Sequence, residues 1–167
     1  IYGMGMEPYD SEGRVLRADF GDIPLLSTYF PSGTSGGERQ AFKMEYLRDF
    51  TNYITEIRKE RPNLIITGDM NICRQPIDIN FPEKHEKMSG FLPEEREWFA
   101  GFIDLGFVDT FRVYCDQPER YTWWSMRTRA RERNLGWRID YFLITESLRN
   151  RLQNAEILQD VVHSDHC

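Results

Sequence analysis

The 167-residue sequence holds no run of eighteen apolar residues, and its opening, Ile1-Tyr2-Gly3-Met4-Gly5-Met6-Glu7-Pro8, lacks a basic start followed by an apolar stretch. Neither a membrane-spanning helix nor a secretory leader is expected, and no membrane partner. Cysteine is scarce: Cys73, Cys115 and Cys167 are odd in number, far apart and never spaced as C-x-x-C. That excludes a disulfide framework and a cysteine zinc site, and the expected setting is a reducing intracellular compartment, the cytoplasm. Positive charge is short too. With 21 Lys and Arg against 27 Asp and Glu the net charge is −6, so the overall field does not favour nucleic acid and any basic surface has to be local. Long Gly/Ser/Pro linkers, repeats and low-complexity tracts are absent, which leaves one domain, expected to be a monomer.

What remains is a chain 40% hydrophobic and 14% aromatic, able to bury a substantial core. Residues 14–20 alternate polar and apolar, Gly21-Asp22 punctuates them, and residues 23–30 form a second β-like run, so the pair reads as a hairpin. Across residues 38–59, Phe42, Tyr46, Leu47, Phe50, Tyr53, Ile54 and Ile57 recur at three- and four-residue steps, the spacing of an amphipathic helix that Arg61-Pro62 stops. Leu64-Ile65-Ile66-Thr67 is a continuous apolar run of the kind a strand covered on both faces shows. Pro93-Glu94-Glu95 opens a second helix with Trp98, Phe99 and Phe102 facing inward. Residues 121–124, 139–144 and 155–158 read as strands and 146–152 as a short helix. Interleaved hairpins and helices predict a layered α/β architecture around a mixed sheet.

Three polar clusters follow or interrupt these apolar strands, where unpartnered polar groups are costly. Gly68-Asp69-Met70-Asn71 continues the buried run, and alternation along an extended segment puts Asp69 and Asn71 on one side. A carboxylate beside an amide suits orienting a water and donating to a phosphoryl oxygen; an Asx turn closing a strand has the same composition. Gly136-Trp137-Arg138-Ile139-Asp140-Tyr141-Phe142 places an acid in a strand that otherwise reads as core. Ser164-Asp165-His166 sets a carboxylate next to an imidazole, either a surface turn or a site in which Asp140 fixes the orientation of His166. Arg120, Arg127, Arg129, Arg131, Arg133 and Arg138, with Glu132 the one acid among them, form a basic stretch bounded by Trp123, Trp124 and Trp137. It reads as a local nucleic-acid contact or as a solvated loop.

The ordered series Gly68-Asp69-Met70-Asn71, Tyr121-Thr122-Trp123-Trp124-Ser125, Gly136 to Phe142 and Ser164-Asp165-His166-Cys167 resembles the exonuclease III and apurinic/apyrimidinic endonuclease family in order and approximate spacing. Thr28-Tyr29-Phe30-Pro31 and Ser89-Gly90-Phe91-Leu92-Pro93-Glu94-Glu95-Arg96 add to the likeness. The resemblance implies the deoxyribonuclease-I-like fold, a four-layered α/β sandwich of two mixed sheets flanked by helices. It also implies that residues 1–167 are the C-terminal two-thirds of that domain, because the family's Gln-Glu-Thr metal-ligand motif lies upstream of Ile1. The implied activity is metal-dependent hydrolysis of double-stranded DNA at abasic or 3′-damaged sites, with Mg²⁺, or Mn²⁺ in its place. Asp69, Asn71, Asp140, His166 and Tyr29 would be catalytic, Asp165, Asp69 and Asn71 metal-binding, Trp123 and Trp137 would line the pocket of a flipped-out baseless sugar, and Arg127 and Arg129 would contact the backbone. Ser32 stands where relatives often carry a longer amide side chain, which removes one phosphate contact. Related readings are a phosphodiesterase for an inositol phosphate or sphingomyelin, and a non-catalytic nucleic-acid-binding regulator of the same fold.

Overall fold

A computed structural model describes residues 1–127 and 129–167. The expected hairpin consists of β1 (Val15–Phe20) and β2 (Ile23–Tyr29), turned at Gly21, whose φ of 63° lies in the left-handed region that glycine adopts without strain. A helical turn, α1 (Glu7–Asp10), precedes it. The apolar spacing of the next segment folds as α2 (Gly37–Glu60), ended at Arg61 by the restriction Pro62 imposes on the residue before it. β3 (Ile65–Asp69) runs parallel to β2 and antiparallel to β7 (Asp140–Thr145), and β4 (Phe107–Asp109) pairs with the far side of β7. The main sheet therefore has the order β1-β2-β3-β7-β4 and is mixed, as expected. Between these strands come α3 (Pro82–His85), α4 (Pro93–Asp104) and α5 (Thr110–Tyr114), while β5 (Trp123–Trp124) and β6 (Gly136–Trp137) make a separate two-stranded ribbon.

Alternation along the strands decides where the core lies. Leu26, Ile66, Tyr141 and Leu143 point to the face covered by α2 and α4 and pack with Tyr46, Leu47, Phe50, Ile54, Phe99 and Phe102. Trp98 joins the two helices by donating its indole N–H to the Leu47 carbonyl at 3.0 Å. On the other face Val108 and Ile144 meet Leu148 and Leu152, whereas Leu16, Phe20 and Phe142 stay exposed. No helix of the described residues is long and apolar enough to cross a membrane.

Residues 155–158 are not a strand. They run alongside the sheet and line a cleft of about 550 Å³ with Thr67, Thr110 and Phe142. Their alternation reflects half-burial, and half-burial alone produces the same pattern without a hydrogen-bonded neighbour. The helix expected at 146–152 is a 3₁₀ turn, Glu146–Arg151.

Candidate active site

Strand register builds the site. Tyr29 is paired with Asp69 across β2 and β3, and Asp69 with Asp140 across β3 and β7. Directly opposed residues share a face, so three polar side chains stand in a row across the ends of three interior strands. The approach of β3 to β2 at this point is close: a Cβ on Gly68, at φ 131°, would lie 1.9 Å from the Thr28 carbonyl oxygen. Glycine before Asp69 is thus a steric requirement.

Asn71 reaches Asp69 by another route than alternation. β3 ends at Asp69, and Asn71 sits in the left-handed region with φ 51°. Its backbone N–H donates to Asp69 Oδ1 at 2.8 Å, and its side-chain Nδ2 donates to Asp69 Oδ2 at 3.2 Å and to the Phe30 carbonyl at 3.0 Å. The Asx turn and the paired presentation are therefore the same structure. Both amide protons have partners, which turns the expected phosphate donor into a residue whose amide oxygen is the atom left to bind.

Asp140 and His166 meet as expected, Nδ1 to Oδ2 at 2.9 Å, although 26 residues separate them. The approach is guided by a β-bridge between Trp123 and His166 and by Trp124 N–H, which donates to the Asp165 carbonyl at 3.0 Å. The hydrogen bond to Asp140 raises the His166 pKa above the ordinary imidazole range. Burial, and next the negative charge of Asp140, raise the Asp69 pKa to about 6. A carboxylate in that position is a stronger base than usual and is still mostly ionised at neutral pH.

Asp165 directs Oδ2 to the Trp123 indole N–H at 3.1 Å and Oδ1 to the Ser164 hydroxyl. Among the described residues no three His, Cys, Asp or Glu side chains are grouped to hold a metal ion. The expected trio Asp69, Asn71 and Asp165 supplies oxygen donors of the right kind for a hard cation, but too few carboxylates for a complete set. Crowding of Asp69 against Asp140 is the feature a cation would relieve.

Trp123 and Trp137 are register partners on the ribbon, edge to face with centroids 6.1 Å apart, half-buried over Cys73, Ile79, Phe91 and Ile139. Gly90 leaves room for Trp137, since a Cβ there would lie 2.7 Å from its ring, and His85 packs on the ring at 5.2 Å. Trp124, by contrast, is core.

The basic stretch does not act as one surface. Arg138 is buried, held by Asp78 and Asp109 at 2.6 to 3.1 Å, with Arg112 on Asp78 and Arg74 on Asp109 completing the network. Arg131 lies over Trp124 at 4.4 Å and donates to the carbonyls of Gln159, Val161 and Ser164, clamping the segment that carries His166. Arg129 is exposed beside Glu132, and Arg127 donates its backbone N–H to the Ser125 hydroxyl. Thr128, inside the stretch expected to contact DNA, lies outside the described residues. Tyr29 is half exposed under the Arg14 guanidinium, 4.6 Å away, and Ser32 bonds to Thr34 at 3.0 Å. Sequence reasoning missed Lys43 and Glu95, both fully buried and joined at 2.6 Å beneath the Asn71 turn. The capping position of Glu95, after Pro93, was the available signal.

Residues 4–166 match the endonuclease/exonuclease/phosphatase family. The exodeoxyribonuclease of Bacillus subtilis strain 168 is 43% identical over all of this chain, and the DNA repair nuclease APEX1 of Danio rerio 39% over 99% of it. The chain spans 66% and 54% of the length of those two relatives. An AP endonuclease from Archaeoglobus fulgidus superimposes with a TM-score of 0.86 at 30% identity, covering 99% of this chain and 66% of its own. The 3′-5′ exonuclease of Neisseria meningitidis superimposes at 0.89 with 25% identity, covering 99% and 67%. The deoxyribonuclease-I-like fold expected from the motifs is thus the fold of its structural neighbours; the relatives it resembles are exodeoxyribonucleases and AP endonucleases, and the chain belongs to the endonuclease/exonuclease/phosphatase family.

Proposed function

We propose that the protein containing this chain is an intracellular, monomeric DNA-repair phosphodiesterase that hydrolyses double-stranded DNA at abasic sites and damaged 3′ ends. The observation that carries the reading is the row Tyr29, Asp69 and Asp140 across the strand ends, with His166 bonded to Asp140 and a half-buried tryptophan pair beside it. In this reading Asp69 holds a water and takes its proton as oxygen attacks phosphorus, and the P–O bond opposite breaks. His166, kept in one orientation by Asp140, donates to a non-bridging oxygen and offsets the charge that grows there. Tyr29 assists at the phosphate or the leaving oxygen. Trp123 and Trp137 accept the baseless sugar, which costs little to unstack, and exclude a normal nucleotide. Arg127 and Arg129 meet the backbone from the adjoining loop.

Magnesium suits oxygen donors and retains waters, with manganese as a substitute; Asp69, Asn71 through its amide oxygen, and Asp165 are the residues of this chain that would hold it. When bound, such an ion supplies charge neutralisation for the phosphate. The test is cleavage by the full-length protein of four substrates: an abasic duplex, a duplex with a blocked 3′ end, an inositol polyphosphate and sphingomyelin. Turnover confined to the two DNA substrates is expected. Turnover of either small ester in preference to DNA points to the neighbouring phosphodiesterase reading, and binding of DNA without turnover points to the regulator.

A further inference from the structure

We infer that the buried Lys43–Glu95 pair is the positioning element of the Asn71 turn, an inference that rests on the functional reading above. Lys43 on α2 has no exposed side-chain surface, and its ammonium donates to Glu95 Oε1 at 2.6 Å and to the Asn71 backbone carbonyl at 2.8 Å. Glu95, equally buried at the start of α4, accepts the backbone N–H groups of Gly90 and Leu92 on Oε2 at 2.7 and 3.0 Å. Its Oε1 also takes Gln40 Nε2 and the Ser89 hydroxyl. One ion pair thereby ties two helices to the turn that carries Asn71 and to the loop that supports Trp137. The loop closes on the same point, since Cys73 N–H donates to the Gly90 carbonyl at 2.7 Å and a Cβ on Gly90 would lie 3.2 Å from the Asn71 carbonyl.

Stability alone does not account for this arrangement. A buried ion pair replaced by neutral groups of similar volume is commonly no less stable, because desolvation offsets the Coulomb attraction. What the charge provides is a directional donor aimed at one carbonyl. That carbonyl belongs to a residue in the left-handed region, φ 51°, a conformation a non-glycine residue keeps only when its surroundings hold it. Lys43 therefore acts through Asn71, whose side chain in turn donates to Asp69.

The test uses the full-length protein, with wild type, Lys43→Met/Glu95→Gln and Lys43→Arg compared on abasic duplex. The neutral double variant is expected to melt near wild type and keep KM within about twofold, while kcat falls about 30- to 100-fold, the scale of a small displacement of a reacting group. Lys43→Arg keeps the charge and the donors and is expected to recover kcat to within about tenfold of wild type. A double variant with wild-type kcat overturns the inference. So does a folded Lys43→Arg protein more than about tenfold slower than wild type, a comparison that holds even if the double variant does not fold. Wild-type protein that leaves abasic DNA intact refutes the functional reading itself, whereas wild-type incision with an indifferent Lys43–Glu95 pair refutes the positioning alone.

Discussion

Replacing Asp140 by asparagine separates two things that the strand register couples. Asp140 fixes His166 through a 2.9 Å hydrogen bond, and it lies directly opposite Asp69. Loss of a hydrogen bond to a charged group costs about 1.5–3 kcal/mol, so kcat/KM on abasic DNA should fall about 10- to 150-fold on the plateau of its pH profile. The second effect is on the profile's shape. Carboxylates on opposed residues stand about 5–6 Å apart, and at an effective dielectric constant of about 40, between the values of protein and water, two such half-exposed charges repel by about 1.5 kcal/mol, or about one pH unit. Part of the rise in the Asp69 pKa to about 6 comes from this repulsion, after the larger effect of burial. With the charge removed, the acid limb, which reports ionisation of Asp69 as the base, should move down by about one unit and stop above the ordinary carboxylate range. His166 loses the partner that raises its pKa, so if its protonated form is the active one, the alkaline limb moves down as well. Because the groups are coupled, the measured limbs belong to the ensemble and not to single residues. An acid limb that stays near 6 or rises would refute the electrostatic argument, and an unchanged plateau would refute the role given to His166.

Asp69→Asn should abolish turnover and yet stabilise the fold. The Asp69 pKa is raised, so the ionised form is disfavoured in the folded state and stability declines as pH climbs from about 3.8 to about 6. Asparagine removes that decline, worth about 3 kcal/mol, and forfeits one bond to Asn71 of about 1 kcal/mol. A gain of about 1–2 kcal/mol by urea unfolding at neutral pH is expected, with none near pH 3. Arg138→Met strands Asp78 and Asp109 with only Arg112 and Arg74 to compensate. Urea unfolding should show a loss of about 3–5 kcal/mol, and a loss below 1 kcal/mol means that the two outer arginines suffice. Gly68→Ala forces a Cβ onto the Thr28 carbonyl. Destabilisation of about 1–3 kcal/mol, with a larger loss of turnover than of DNA binding, is the expected result.

Much of this site was legible because its residues follow simple periodicities. The run Leu64 to Thr67 announced a strand, though not one covered on both faces, since Leu64 and Ile66 are buried while Ile65 and Thr67 are half-buried, and the acid in the strand beginning at Asp140 called for a partner that His166 provides. Asn71 was recognised for an incomplete reason, since extended alternation misses the left-handed turn that directs its amide inward. Arginines were the least legible. Arg129, Arg131 and Arg138 look alike in sequence, yet one is exposed, one clamps the segment before His166 and one is buried between two aspartates. Which carboxylates and carbonyls surround a guanidinium depends on contacts 28 to 60 residues away. Lys43 was invisible for the same reason, as its partner Glu95 lies 52 residues further on. Residues 155–158 alternate like a strand and have no ladder.

The central claim is that Asp69 activates water for hydrolysis of abasic DNA. Its most direct measurement is incision of a duplex carrying one abasic site, beside the same duplex without it, by full-length wild-type protein and by Asp69→Ala in magnesium. Nicking confined to the abasic duplex and lost by about a thousandfold or more in the variant is the predicted result, a sum of the lost base and lost positioning. Equal nicking by wild type and Asp69→Ala contradicts the account.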